Sequence, residues 1–266
     1  MPHVTVVRAD NPGPMTLDGT RSYVLRAPGS PSCVVVDPGP DAEEHLATLA
    51  DAGPVELVLV THGHADHTAG SARLHALTGA PVRAADPAHC HGGEPLRGGE
   101  RIDAAGLRVD VLATPGHTAD SVSLIVTGPD AVPVVLTGDT VLGRGTTVIA
   151  EPDGSLRDYL ASLDVLERVG DGRVGFPGHG PAVEDLGDTV RAYRDHRLGR
   201  LAQVRSALAE LGLDARDAVN ADDGPDGPDV ADAVVAHVYA DVDPSVRRAA
   251  RQSVVAQLAY LREEKV

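Results

Sequence analysis

The segment Thr61-His62-Gly63-His64-Ala65-Asp66-His67 follows directly on an apolar run, Leu57-Val58-Leu59-Val60. A short apolar run between Pro54 and a following glycine reads as a buried strand. Three imidazoles and a carboxylate therefore fan out from a fixed strand end. His62 and His64 flank Gly63 and can aim at one point, while Asp66 and His67 can aim at a second point close by. Zinc takes four ligands, commonly His nitrogen with some carboxylate oxygen, so this segment alone cannot close a site. Other parts of the chain must come to the same place.

Three later segments repeat the pattern of an apolar run broken by glycine beside a ligand-type residue. Val109 to Thr114 leads into Pro115-Gly116-His117-Thr118, Val132 to Thr137 into Gly138-Asp139-Thr140, and Arg173 to Phe176 into Pro177-Gly178-His179-Gly180. One strand-end histidine on its own reads as a satisfied core or turn residue. Four such elements in series, supplying five His and two Asp, read as a metal centre.

The order HxHxDH, PGHT, GDT and PGHG resembles the metallo-β-lactamase superfamily over residues 1 to 186. The resemblance implies an α/β (α+β) fold, an αββα sandwich with a two-metal site at one edge. By that resemblance His62, His64 and His117 hold one ion, Asp66, His67 and His179 hold the other, and Asp139 bridges them. The implied cofactor is a pair of Zn²⁺ ions, with Mn²⁺ or Fe also compatible with His and carboxylate ligands.

Further segments are similar to the β-lactamase-like protein 2 group within that superfamily. They are Asn11 to Thr20, Asp37-Pro38-Gly39, Gly138 to Val148, Tyr159 to Leu163 and the stretch from His196 to Arg200. The group contains hydrolases with a helical, winged-helix-like C-terminal region; some members are endoribonucleases, and related fungal members are thioesterases. Where that group has Gly-Thr-Asn, this chain has Gly19-Thr20-Arg21, which leaves substrate preference open.

Two adjacent divalent ions lower the pKa of a shared water from 15.7 toward about 7. The resemblance thus implies metal-bound hydroxide attacking an ester or thioester, or a phosphodiester, with Asp66 as ligand and as the group that orients the water and carries its proton. The expected substrate is a small-molecule ester or thioester, or single-stranded RNA. A glyoxalase-II-like thioesterase is the alternative, since it uses the same seven ligands. A non-catalytic metal-containing regulator is a further alternative, and the complete ligand set counts against it. No Ser-His-Asp arrangement or phosphate-binding glycine loop competes for the catalytic role.

A formal net charge of -16 disfavours nonspecific adhesion to nucleic acid or anionic membranes. With one Phe and no Trp, the core must be mostly Val, Leu and Ala. Cys33 and Cys90 imply no disulfide framework. His89-Cys90-His91 lies in a Pro/Gly-containing stretch and reads as a solvated loop. The opening residues lack a secretory pattern and no run reaches the roughly 18 apolar residues of a membrane span. The expectation is a cytoplasmic protein without membrane or DNA partners; nothing fixes its oligomeric state.

Strands are expected at 4 to 8, 22 to 26 and 32 to 37, a helix at 41 to 52, and another near 68 to 78 with Leu74 and Leu77. From residue 187 strand patterns stop, and we expect a catalytic domain at 1–186 with a helical cap at 187–266. Residues 188 to 211 form a long helix with Val190, Tyr193, Leu198, Leu201, Val204 and Leu208 as its apolar set. A Gly/Pro/Asp-rich hinge is expected at 220–228, before helices near 229–240 and 244–264, and a full wing is not expected. Arg191, Arg194, Arg197 and Arg200 recur every third residue, and such a row could meet phosphates. The other reading is a solvated face paired with Asp188 and Asp195. Arg144, Thr146, Arg194, Arg197 and Arg200 are the candidate substrate-binding residues.

Overall fold

The computed structural model describes residues 3–217, 229–240 and 247–264. Its centre is two five-stranded sheets packed face to face. The first runs in the order β1 (Val4–Arg8), β2 (Arg21–Leu25), β3 (Cys33–Val36), β4 (Val55–Leu59), β5 (Val82–Arg83). The second contains β6 (Arg101–Ala104), β7 (Leu107–Ala113), β8 (Val122–Thr127), β9 (Val134–Gly138) and β10 (Gly175–Pro177), in the spatial order β10-β9-β8-β7-β6. Pairing is antiparallel except for β3 with β4, β4 with β5, and β9 with β10.

Side-chain alternation explains why β3 and β4 are apolar at nearly every position. Val34, Val36, Leu57 and Leu59 face the second sheet, where they meet Val109, Val111, Leu124 and Leu136. Cys33, Val35, Val58 and Val60 face the other way, toward Leu46 and Leu49 of α1 (Glu43–Ala50) and Leu74. A strand covered on both faces has no polar side to show. The second sheet is covered in turn: Val135 packs with Leu156, Tyr159, Leu163 and Leu166 of α4 (Leu156–Gly170) and with α5 (Leu186–Leu211). The layers are α, β, β, α, as expected.

The helix expected at 68 to 78 is two, α2 (Ala65–Thr68) and α3 (Ser71–Thr78). Gly70 sits at the break, where a Cβ would lie 2.7 Å from a Leu46 methyl and 3.1 Å from the Pro40 carbonyl. The chain presses against α1 there, and the new axis leaves Leu74 buried but Leu77 55 % exposed. The solvated-loop reading of 89–91 is also corrected. His89, Cys90 and His91 are half-buried; the Cys90 thiol packs near the Ala84 amide, and His91 exchanges two backbone hydrogen bonds with Val82.

Helix α5 starts at an N-cap, Asp185, whose carboxylate accepts from the Asp188 amide at 3.0 Å. It ends at Gly212 in the left-handed region. Its buried stripe is Val190, Tyr193, Arg197, Leu201, Val204 and Leu208. Leu198, expected in the apolar set, is 45 % exposed, because helical spacing gives its place to Arg197. The last part of α5 packs with α6 (Val230–Val238) and α7 (Arg247–Glu263) around Val204, Leu208, Val234, Val254 and Leu258. The hinge expected at 220–228 lies outside the described residues. No helix among the described residues is long and apolar enough to cross a membrane.

Candidate metal centre

The ends of β4, β7, β9 and β10 meet at one rim of the sandwich. His62 and His64 follow β4, and α2 carries Asp66 and His67. The turns after β7, β9 and β10 carry His117, Asp139 and His179. Backbone hydrogen bonds join these turns across the two sheets, from Val122 to the Thr61 carbonyl and from Arg21 to the Gly178 carbonyl, both at 2.8 Å.

All seven expected ligands come together. His64 Nδ1 lies 3.1 Å from His62 Nε2 and 3.0 Å from His117 Nε2. On the other side, His179 Nε2 is 3.2 Å from His67 Nε2 and 3.1 Å from Asp66 Oδ2. Asp139 stands between the two triads, with Oδ2 3.3 Å from His179 Nε2 and 3.9 Å from His117 Nε2. Donors bound to one tetrahedral ion at 2.0–2.1 Å lie about 3.3 Å apart, so both triads have the spacing of a ligand set. Asp139 Oδ1 is buried without a hydrogen-bond partner among the described residues, which an ion would supply. The residues fit two metal ions.

The backbone has been cleared for this. At Gly178 a Cβ would come 2.3 Å from Asp139 Oδ1 and 2.7 Å from a His67 ring carbon. His62, His67, His117, Asp139 and His179 are buried, whereas His64 is exposed and Asp66 half-buried. The centre opens to solvent on the side of His64 and Asp66.

The far nitrogens of His62, His67 and His117 are held as well, a usual requirement for metal-binding histidine. His67 Nδ1 lies 2.9 Å from Asp37 Oδ2, and His62 Nδ1 lies 3.1 Å from Thr61 Oγ1. His117 Nδ1 meets the Val148 carbonyl at 2.8 Å and Thr147 Oγ1 at 3.0 Å. Asp66 Oδ2 accepts from Thr20 Oγ1 at 3.1 Å, and Asn11 holds Thr20 through two hydrogen bonds of 2.9 Å. Sequence reasoning gave no role to Asp37, Thr61, Thr147 or Thr20. Asp37 was within reach, because it is a carboxylate at the end of β3 and repeats the pattern of the other strand ends.

Without ions, the carboxylates are offset in part by two of the imidazoles. Burial disfavours a charged His67, but the Asp139 and Asp37 carboxylates override it and hold its pKa well above the usual value. His179 is likewise opposed by burial yet pushed up to about 9 by hydrogen bonds to Asp139 and Asp66. Burial lowers His62 and His117. Burial also opposes the charged carboxylates, and the histidines outweigh it, holding Asp66 and Asp139 well below the usual carboxylate range. Two protonated imidazoles thus occupy the role that metal charge would take.

The sequence profile described as "Metallo-beta-lactamase superfamily" matches residues 15–179. The chain belongs to the metallo-beta-lactamase superfamily. A beta-lactamase associated winged helix domain matches residues 231–266. Among curated relatives of this superfamily member, a beta-lactamase-like protein 2 homolog of Caenorhabditis elegans is 30 % identical over 220 residues, 78 % of this chain and 71 % of the relative. An atrochrysone carboxyl ACP thioesterase of Aspergillus fumigatus is 32 % identical over 219 residues, 79 % and 66 % of the two chains. A hydroxyacylglutathione hydrolase of Albidiferax ferrireducens is 38 % identical over 156 residues, 57 % and 59 %. In structure, a metallo-beta-lactamase family protein of Thermus thermophilus superposes with a TM-score of 0.73 at 24 % identity, over 99 % of this chain and 94 % of that one.

The candidate substrate-binding arginines are not one row. Arg194 pairs with Asp164 and Glu167 of α4, and Arg191 with Asp171 and Asp188. Arg197 is 5 % exposed, donates to the Thr147 carbonyl and lies over the Tyr159 ring. Arg200 lies over the Tyr239 ring at 5.0 Å. Arg144 is exposed, and Thr146 is half-buried beside Arg197 and Arg200.

Proposed function

We propose that this superfamily member is a dinuclear metal-dependent hydrolase of small acyl thioesters or esters. The observation that carries the reading is the double triad, His62/His64/His117 and Asp66/His67/His179, joined by Asp139. When bound, a pair of divalent ions, zinc by ligand type, supplies a water of lowered pKa and polarises the acyl oxygen. The protein supplies placement. His62, His64 and His117 would hold one ion, Asp66, His67 and His179 the other, and Asp139 both.

Asp66 sits at the open side with Oδ2 fixed by Thr20, where it would orient the attacking water and pass its proton on. The acyl carbon gains a C–O bond to the water oxygen, the C–S or C–O bond to the leaving group breaks, and the water's proton ends on the leaving atom. The site's opening past His64 admits the substrate.

A thioester is favoured over RNA by where the arginines are. Arg191 and Arg194 are engaged by carboxylates, and the chain has a net charge of -16 with 2 % aromatic residues. Single-strand binding draws on a basic groove and stacking aromatics. The names of the thioesterase and hydroxyacylglutathione hydrolase relatives support the same choice, and the second also keeps the glyoxalase-II-like alternative. The test is a parallel assay of metal-loaded protein on acyl thioesters, esters, lactams, lactones and single-stranded RNA, each with a chelator control. Chelator-sensitive thioester turnover without RNA cleavage is the expected result, and RNA cleavage as the sole activity would overturn the choice.

A further inference from the structure

A separate cleft, about 400 Å³ in volume, lies where the loop after Asp139 meets α5 and α7. It shares none of the seven donor residues. Thr146, His196, Arg197, Arg200, Ser253 and Gln257 contribute its polar lining, and no carboxylate is among its described lining residues. Two arginines thus line one recess of a strongly acidic chain. Burial and the neighbouring charges of Arg197 and Arg200 lower the pKa of His196, as a site awaiting negative charge would.

Two buried polar atoms on its lining residues have no hydrogen-bond partner among the described residues. Arg197 Nε is a donor and Gln257 Oε1 an acceptor, on residues 5 % and 2 % exposed. Buried polar groups are rarely left unmet, and each such case calls for an explanation. An oxyanion that also carries a hydroxyl would answer both atoms once the two side chains turn toward the cleft, since its charged oxygens accept from the guanidinium and its O–H donates to the amide oxygen. Phosphate monoesters keep such a proton in part near neutrality, with a second pKa of about 6, and inorganic phosphate keeps it to a higher pH. Sulfate does not, and only accepts.

We propose that this cleft is a binding site for phosphate or a phosphate monoester, held by Arg197 and Arg200 and oriented by Gln257. It adjoins the metal centre through one chain of contacts. Arg197 donates to the Thr147 carbonyl, and Thr147 Oγ1 lies 3.0 Å from His117 Nδ1. As an anchor for the phosphorylated end of a thioester's leaving group, it rests on the hydrolase reading; the binding itself does not.

Calorimetry on the metal-loaded protein near pH 6 tests it without turnover, using inorganic phosphate, sulfate, 4′-phosphopantetheine and pantetheine. Phosphate or phosphopantetheine should bind, with sulfate and pantetheine about tenfold weaker or worse, the scale of a lost charge-assisted bond. Arg200→Met and Gln257→Leu should each weaken the binding by about tenfold with metal content unchanged. Gln257→Leu should also melt above the parent in phosphate-free buffer, because it removes a buried unpaired acceptor, and so separates lost binding from lost folding. Phosphopantetheine binding above inorganic phosphate identifies a monoester ligand, and the reverse identifies the free ion. Equal binding to parent and both variants places the anion on the metal ions and overturns the proposal. So does equal affinity for sulfate, or no binding at all.

Discussion

Asp37 Oδ2 lies 2.9 Å from His67 Nδ1, while Nε2 of the same ring faces Asp66, Asp139 and His179. The other Asp37 oxygen accepts from the Thr61 amide at 2.7 Å, and Thr61 Oγ1 donates to Oδ2 at 2.8 Å. One carboxylate therefore aims His67 and pins the turn that starts the HxHxDH segment. Asp37→Asn suits the backbone, since φ is 52° there and Asn tolerates the left-handed region. The variant should fold and bind the second ion about 10–100-fold more weakly, the usual effect of losing such a partner. Competition with a metal-indicator dye measures this, and unchanged affinity would make Asp37 only a turn residue.

Asp66→Asn keeps an oxygen at the open side of the centre but loses charge and proton capacity. Turnover should fall by roughly 10²–10⁴, with metal content checked in the same preparation. A fully loaded variant with parental turnover would remove Asp66 from proton handling.

Metal uptake should release protons. At pH 7 the metal-free chain holds a proton on His67 and on His179, whose pKa is about 9, and a bound ion must displace both. Calorimetric titration in two buffers of different ionisation enthalpy should report about two protons released for these rings. The stability sign follows. A raised folded-state pKa stabilises the metal-free protein fully below the unfolded value of about 6.5, and that contribution is lost as pH rises through about 9. Melts with and without chelator should therefore diverge from pH 6 to 9. A constant gap would contradict the charge assignment.

Arg197 and Arg194 should behave oppositely although both lie on α5. Arg197 is buried and supports the Thr147 carbonyl, so Arg197→Ala should cost about 2–4 kcal/mol through a cavity and a lost charged hydrogen bond. Arg194 joins partly exposed ion pairs, and Arg194→Ala should cost about 1 kcal/mol or less. Urea unfolding of the two variants decides, and similar losses would refute the distinction.

The ligand set was legible because ligand chemistry is written at strand ends, where sequence order maps onto one rim. The sandwich came from the resemblance carried by the motif order, whereas the apolar runs at 32 to 37 and Leu57 to Val60 by themselves showed only strands. Arg197 was misread because steps of three through Arg191, Arg194, Arg197 and Arg200 look like a surface row. The buried stripe instead steps from Tyr193 to Arg197 to Leu201, and a cation at a core position mimics a solvated one. The break at Gly70 escaped because it depends on contact with Leu46 and the Pro40 carbonyl, far away in the chain. Thr147 was out of reach for the same reason, since its link to His117 exists only after the two loops meet.

Each triad draws from both halves of the sandwich. His62 and His64 need His117, and Asp66 and His67 need His179. As synthesis proceeds from the N-terminus, the first half can present only incomplete clusters. His117 completes one of them, while the other waits for the turn after β10, more than a hundred residues beyond His67. On the proposed two-ion reading, loading of the second ion would certify that the last strand of the sandwich is in place, and a chain truncated before His179 would fail that check.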